Sequence, residues 1–554
     1  MVARTSLWLD RIDAQGAPLV PAHAPLVGAT DSSAELADPH DVVVVGAGLT
    51  GLTTAVLLAR AGWSVLVVEA RRIGAGTTGR STAKISLLQG DRLSRIAKHH
   101  SEPVLRSYVE GSREGMDWLL RYCDEHAIRY QRRPAVTYAT TGPGLVRVDA
   151  EATAAQAAGL PVDWRDDLDL PVPVVGAVEL ADQAQLDPMD VLAVLADDLV
   201  ARGGRVVDGA RVRGLRRERS GGYTVLTTRG DTRCDTVVLA TGTPVLARGG
   251  YFARSQPQRS YALAARVPGE LPRGMYLSVD RDVRSVRTTP AVPDGRAGVA
   301  NPGAGGEVLL VGGAGHVTGR GAPTSEHARR LARWTERHFS GAVVTHAWSA
   351  QDYASADGLP LVGRLVPTDG RVLVATGFDK WGMTSAVAAA LVISAELLGD
   401  HSPGWAGHWL PWRPRELAKG TGHVLRWNGE VGVRAASDWL RPWPAVGERG
   451  VPPEGQGRVE RARVRQPEAV CTVGGVTRRV SAVCTHLGGI VSWNDAERSW
   501  DCPLHGSRFD PSGVPLEGPA TEPLDPVDPA GAVKFRAVPG EPAPESVVPP
   551  GPTG

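Results

Sequence analysis

The stretch "DVVVVGAGLTGLTTAVLLARAGWSVLVVEA", residues 41–70, restricts the fold more than any other part of the chain. It reads as a strand, a glycine turn, a helix and a second strand. Two strands joined through a helix lie parallel in one sheet, so an α/β domain follows. Gly46, Gly48 and Gly51 make G-x-G-x-x-G directly after the first strand. The first glycine permits a tight turn, the second lets backbone approach a pyrophosphate, and the third lets the helix pack on the strand. Backbone N–H groups and the helix dipole then face phosphate. Glu69 ends the second strand, where its carboxylate can accept bonds from a ribose hydroxyl. Strand, glycines, helix, strand and acid in that order point to a bound dinucleotide. The plainer alternative is a glycine turn in an α/β domain.

The chain has 554 residues, room for about three domains at roughly 100–200 residues each. Lysine and arginine total 61 against 60 acidic residues, a net charge of +1. That balance gives no electrostatic case for nucleic acid or an anionic membrane. "MVARTSLWLDRIDAQG" at the N-terminus lacks the apolar core of a signal peptide. The most apolar run, "SAVAAALVISAELL" at 385–398, is broken by Ser394 and Glu396 and reads as a buried helix, so no membrane span is expected. Five cysteines, an odd number, do not suggest a disulfide framework. The expectation is a protein of a reducing compartment, the cytoplasm.

Along the chain, residues 1–40 read as an irregular N-terminal arm and 41–400 as one α/β unit. Residues 101–127 read as a helix whose apolar positions place Cys123 in the core, and "TSEHARRLARWTERHF" at 324–339 as a helix capped by Thr324 or Ser325. Strands "TVVLATG" at 236–242 and "RVLVATG" at 371–377 each end on glycine. Residues 401–457, rich in Gly, Pro and Trp, read as a linker containing the helix "VLRWNGEVGVRAASDWL". Short strands follow over 458–540, and 541–554 reads as a disordered tail.

The second constellation is C-x-H (Cys484, His486), fifteen residues, then C-x-x-H (Cys502, His505). Ligands this close in sequence converge only if each half-motif is a tight loop, and Gly488, Gly489, Pro503 and Gly506 supply turn residues. The pattern is the signature of a Rieske [2Fe–2S] centre, with two thiolates on one iron and two imidazoles on the other. Zinc is the rival metal. A zinc finger pairs its cysteines together and its histidines together on a helix, whereas here each loop mixes one of each. Cys234 and Cys471 have no partner at ligand spacing and read as buried thiols.

The flanks carry a resemblance. "CTHLGG", "CPLHGSRFD" and "GPATEPL" look like a Rieske fold. "RRIGAGTTGRSTAKISLLQG" at 71–90, "VVLATGT" at 237–243 and "DGLPLVGRLVPTDGRVLVATGFDKWGMTSAV" at 357–387 resemble the D-amino-acid-oxidase-like flavoproteins. Together they resemble bacterial FAD-dependent oxidoreductases with a C-terminal Rieske domain. The resemblance implies an α/β FAD-binding Rossmann-like domain, built from about 41–95, 200–245 and 350–400, with an inserted α+β substrate domain and a C-terminal all-β Rieske domain. It implies FAD in place of NAD, with Gly46, Gly48, Gly51, Glu69, Arg71, Thr78 and Thr82 at the ADP half and pyrophosphate. Val212, Thr241 and Gly242 would lie near the adenine and phosphate turn, and Gly377, Lys380, Trp381, Gly382 and Met383 by the flavin ring. The helix after Gly382 would aim its N-terminus at the flavin. Lys380, one of five lysines, is the catalytic candidate, against the plainer reading of a structural cation. Arg259 and Tyr261 are weighed as substrate-facing, against ordinary strand residues. High-potential Rieske proteins carry a further cysteine in each loop, where this chain has Gly489 and Leu504, and a tyrosine where it has Phe509; Ser507 is kept. Fewer hydrogen bonds to sulfur imply a potential low in the Rieske range of roughly −150 to +300 mV.

The expected function is oxidation of a small molecule, an amine or amino-acid derivative, with electrons passing between flavin and cluster and on to an electron-transfer protein or quinone. Two alternatives stay open. One is reverse flow, with the cluster feeding the flavin for reduction or monooxygenation. The other is a non-catalytic redox sensor or electron-transfer module.

Overall fold

The computed structural model describes residues 2–15, 36, 38–291, 306–321, 323–461 and 466–527. The chain folds as the expected α/β FAD-binding unit with an inserted substrate sheet, followed by a small β unit. Five strands of the first sheet run parallel in the order Val372–Thr376, Gly230–Leu239, His40–Val45, Val65–Val68, Arg205–Val207. The central strand is buried along Val42–Val45, and the helix Leu49–Arg60 covers one face. Helix Gly382–Leu398 packs beside it, buried along most of Met383–Ser394, as its largely apolar sequence requires. Cys234 and Cys123 are core thiols.

The second sheet is nine-stranded and mostly antiparallel, and it forms the floor of the inserted domain. Its long strands Ser255–Arg266, Glu307–Val317 and Val343–Ser355 lie side by side, with Arg284–Pro290 and Met275–Ser278 following. Lys84–Ile85 closes the far edge against Gly176–Leu186. Beyond residue 457 come a three-stranded and a four-stranded antiparallel sheet around Trp500, Phe509, Val480 and Cys471.

The structure departs from the sequence reading at the joints. The N-terminal arm is not irregular throughout. Leu7–Gln15 is a helix that buries Trp8 and Leu9, and Trp8 donates from Nε1 to the Ser81 carbonyl at 2.8 Å. The start of the expected linker belongs to the first unit's core, because Trp405 and Trp409 are buried there. Gly111 makes room for Trp405, since a Cβ at that glycine would stand 2.6 Å from the indole. The linker helix runs over Pro414–Leu440, beginning ten residues before the expected 424; proline at its first position is compatible with a helix start. The disordered-tail reading at 541–554 lies outside the described residues. Among the described residues, no helix is long and apolar enough to cross a membrane.

Candidate active site and metal centre

A cavity of about 350 Å³ runs from the Gly46 turn to Met383. At its first end, Gly46, Gly48, Glu69, Arg71 and Thr78 line one wall, and Val212, Thr241 and Gly242 the other. Gly51 lies behind the wall, and its role is packing. A Cβ there would stand 1.9 Å from the Gly46 carbonyl oxygen, so only glycine lets this helix approach the turn. Glu69 is fixed by the backbone: its two oxygens accept from Ala47 N–H (3.0 Å) and Arg71 N–H (2.9 Å). The helix Leu49–Arg60 has no side-chain cap at Gly48, and Thr78 Oγ1 accepts the Leu49 N–H at 3.2 Å. Free N–H groups, an oriented carboxylate and the Arg71 cation in one cleft suit the ADP half of FAD.

At the other end stand Lys380, Trp381, Gly382 and Met383, joined by Thr82, Lys84, Ser285 and Tyr261. Thr82 lines the cavity too, with its Oγ1 3.4 Å from Lys84 Nζ. Gly377 turns the chain behind the wall, with φ +80°. Asp379 and Lys380 take successive left-handed conformations, φ +46° and +74°, each costing roughly 1–2 kcal/mol for a residue with a side chain. The surroundings enforce that turn. Lys380 N–H donates to Asp352, Asp379 N–H to the Tyr353 carbonyl (3.2 Å), and the Asp379 carboxylate pairs with Arg92 and Arg95. Burial alone would raise the Asp379 carboxyl; Arg92 foremost, then Arg95 and Lys380, outweigh it and hold it at about 2. The helix Gly382–Leu398 carries no side-chain cap, so its N-terminal N–H groups meet the cavity unpaired by side chains. Arg259 does not face this space. It is fully buried and bound to Glu497 and Glu517, whereas Tyr261 does line the cavity.

The four expected iron ligands come together at the tips of two loops. Cys484 and Cys502 share a hydrogen bond, and the His486 and His505 rings meet edge to face at 5.2 Å. Backbone N–H groups of His486 and Leu487, with the Ser507 hydroxyl, point at the Cys484 sulfur; those of Leu504 and His505 point at Cys502. Donors aimed at two sulfurs are what a thiolate pair needs, so the donor set suits the cluster. Among the described residues, no three His, Cys, Asp or Glu side chains converge on a single ion; the ligands form a thiol pair and an imidazole pair. The loops are not stapled, since all five cysteines are free. Leu504 packs where the second cysteine of a staple would be, 2.7 Å from the point a Gly489 Cβ would occupy.

The two sites adjoin. Phe252 of the first unit stands edge-on to both ligand rings, at 5.0 Å from His486 and 4.9 Å from His505. Gln351, on the cavity wall, donates from Nε2 to the carbonyl of Gly506, the residue after His505, at 2.8 Å. Gly506 (φ +80°) is pressed against Pro257, whose Cβ is 2.5 Å from where a Gly506 Cβ would be. Leu516 and Glu517, from the β unit's last strand Pro515–Glu517, and Gly518 just after it line the FAD cavity itself. None of Phe252, Gln351, Lys84, Leu516 or Glu517 stood out in the sequence. Only the lysine's rarity could have signalled Lys84; the others become visible once two distant segments are brought together.

Comparison with known proteins agrees with this geometry. Residues 41–396 match the FAD dependent oxidoreductase family and residues 443–529 the Rieske [2Fe-2S] domain. YhfW of Bacillus subtilis (strain 168), named for its Rieske 2Fe-2S centre, is 32% identical over 492 residues, 88% of this chain and 93% of that protein. The cytochrome b6-f complex iron-sulfur subunit of Prochlorococcus marinus (strain NATL1A) is 34% identical over 116 residues, 21% of this chain and 60% of its own. In fold, glycine oxidase from Geobacillus kaustophilus superposes with a TM-score of 0.55 at 18% identity, over 68% of this chain and 99% of its own. L-proline dehydrogenase from P. horikoshii does so at 0.53 and 17%, over 69% and 99%. The cofactors are FAD and a [2Fe–2S] cluster, and the chain belongs to the FAD dependent oxidoreductase family, with a Rieske domain on its C-terminal side.

Proposed function

We propose that this enzyme oxidises a small amine or amino-acid derivative and passes the electrons from flavin to the Rieske cluster within one chain. The observation that carries this reading is the contact of the two sites: Gln351 stands on the FAD cavity wall and bonds the backbone of the loop that holds His505. The amine class is supported by the solved structures of like fold, which by their names act on glycine and L-proline. When bound, FAD supplies a two-electron acceptor and the cluster a one-electron carrier. The protein's part is placement and shielding. The glycine turn and Arg71 would hold the pyrophosphate, the uncapped helix at Gly382 would turn its positive end toward the flavin, and Lys380 would add a cation beside it. Phe252 covers the ligand imidazoles, and the N–H groups of the two loops hold the thiolates. Fusion on one chain keeps the two sites at a fixed gap and a high effective concentration.

Anaerobic mixing of the purified protein with a panel of amines and amino acids, followed at flavin and cluster wavelengths, tests this. The expected result is bleaching of the flavin followed by bleaching of the cluster. A flavin that bleaches while the cluster stays oxidised overturns the relay.

A further inference from the structure

Lys84 is placed as no structural lysine needs to be. It sits on the short edge strand Lys84–Ile85 and lines the same cavity as Lys380, Trp381 and Met383. Its hydrogen-bond partners are hydroxyls: Nζ donates to Ser285 Oγ and, at 3.4 Å, to Thr82 Oγ1. Neither can offset a positive charge as a carboxylate would. The charged and titratable groups around it are few. Arg287 comes from the strand that also carries Ser285, with Asp187 beyond it and paired with Arg11 at 2.8 Å. Tyr261 and Lys380 stand on other walls of the cavity. The paired residue on the adjoining strand is Gln185, which is neutral, and Leu277, which also lines the cavity, is apolar. Burial first, and Arg287 second, push the Lys84 amine down to about 7. A lysine that faces a cavity and is held by hydroxyls is a base in waiting.

We propose that Lys84 takes the proton from the ammonium group of an amine substrate, so that the substrate reacts as the free amine. The transfer balances as R–NH₃⁺ plus Lys84–NH₂ giving R–NH₂ plus Lys84–NH₃⁺. The lone pair released on the substrate nitrogen is what lets the adjacent carbon give up hydride. Ser285 and Thr82 fix Nζ within the cavity and solvate the ammonium that forms. This deepens the amine reading above and rests on it. It also predicts that quaternary ammonium compounds, which have no proton to give, are not substrates.

Two measurements on the holoenzyme decide it. The chain has five lysines, so protein labelled with [13Cε]lysine gives few signals, and the one missing from Lys84→Met identifies Lys84. That signal is expected to titrate near pH 7; a midpoint above pH 9 overturns the assignment whether or not the variant is active. The second is the anaerobic rate of flavin bleaching by a saturating amine against pH. Wild type should rise to a plateau around the same midpoint. Lys84→Met, with FAD content checked by absorbance, should be slower by about 10²–10⁴-fold at pH 7 and recover toward the substrate's own pKa, where free amine is abundant. Bleaching indifferent to Lys84→Met sinks this assignment alone. A wild-type flavin that no amine or amino acid bleaches sinks the amine reading and this assignment with it.

Discussion

His316, on strand Glu307–Val317, and His327, on helix Thr324–His338, stack at 4.3 Å beside Tyr261. Both ring nitrogens of His327 and Nδ1 of His316 are buried without a side-chain hydrogen-bond partner among the described residues. Burial first, then His327 and Arg259, push the His316 imidazole down to about 4, and burial chiefly lowers His327 as well. Two stacked imidazoles beside the buried Arg259 cannot both take a proton without repulsion. The folded protein therefore keeps them neutral, while the unfolded chain protonates them near pH 6.5. Between about pH 6.5 and 4 the unfolded state binds more protons, so stability is present above this window and is lost as pH falls through it. His316 alone accounts for roughly 2 kcal/mol at most between pH 7 and pH 5. His316→Phe, which keeps a ring in the stack, should shrink the drop in melting temperature between those two values. An unchanged drop would mean that other groups set the acid limb.

At the scale of elements, the strand–turn–helix at 40–60 depends on one missing methyl group. Gly51→Ala places a Cβ against the Gly46 carbonyl, where backbone must shift, so the helix backs off the turn at a cost of about 1–3 kcal/mol or more. FAD content by absorbance should fall while iron content is unchanged; a variant retaining full FAD would contradict the packing role. This unit was legible in sequence because all its determinants are local: four valines, three glycines at fixed offsets and an acid. The two metal loops were legible for the same reason. The helix Thr324–His338 was only half legible. Its extent was readable from periodicity, but neither Thr324 nor Ser325 caps it. Asp495 of the Rieske unit does, accepting the Ser325 N–H at 2.9 Å and the Thr324 hydroxyl at 2.7 Å. A cap supplied from about 170 residues away leaves no local signal. Asp495→Ala should cost about 1 kcal/mol for the cap, and the loss should appear as faster amide exchange in residues 324–328. Unchanged exchange would reassign the cap.

At the scale of the whole molecule, the question is what keeps two units docked so that both sites stay in register. The interface centres on a buried set of charges. Arg259 and Arg80 come from the FAD unit; Glu497, Asp501, Arg508 and Glu517 come from the Rieske unit. Three cations meet three anions. Burial alone would raise the Glu517 carboxyl, but Arg508 foremost, then Arg259, Arg71 and Arg80, hold it at about 2. Arg508 can satisfy the acids within its own unit, so the cations of this set that tie the units together are Arg259, on Glu497 and Glu517, and Arg80, on Glu497. Arg211 adds a neutral tie, donating to the Pro515 carbonyl at 2.6 Å. Removing one partner from a buried pair costs about 3–5 kcal/mol, because the remaining charge is left uncompensated. Arg259→Met keeps the side-chain volume and leaves Glu497 and Glu517 short of one cation. Glu517 also faces the FAD cavity, where Arg71 and Arg80 still offset its charge. The variant should bind FAD and iron as wild type does, yet be cut faster by protease between 441 and 457, the segment joining the two units. Its flavin should still bleach with substrate while the cluster follows more slowly. Wild-type cleavage and wild-type cluster reduction in Arg259→Met would show that the apolar contacts around Phe252 and Pro257 hold the units by themselves. Slower cleavage would mean that the ion set opposes docking, as buried charges do when desolvation outweighs attraction.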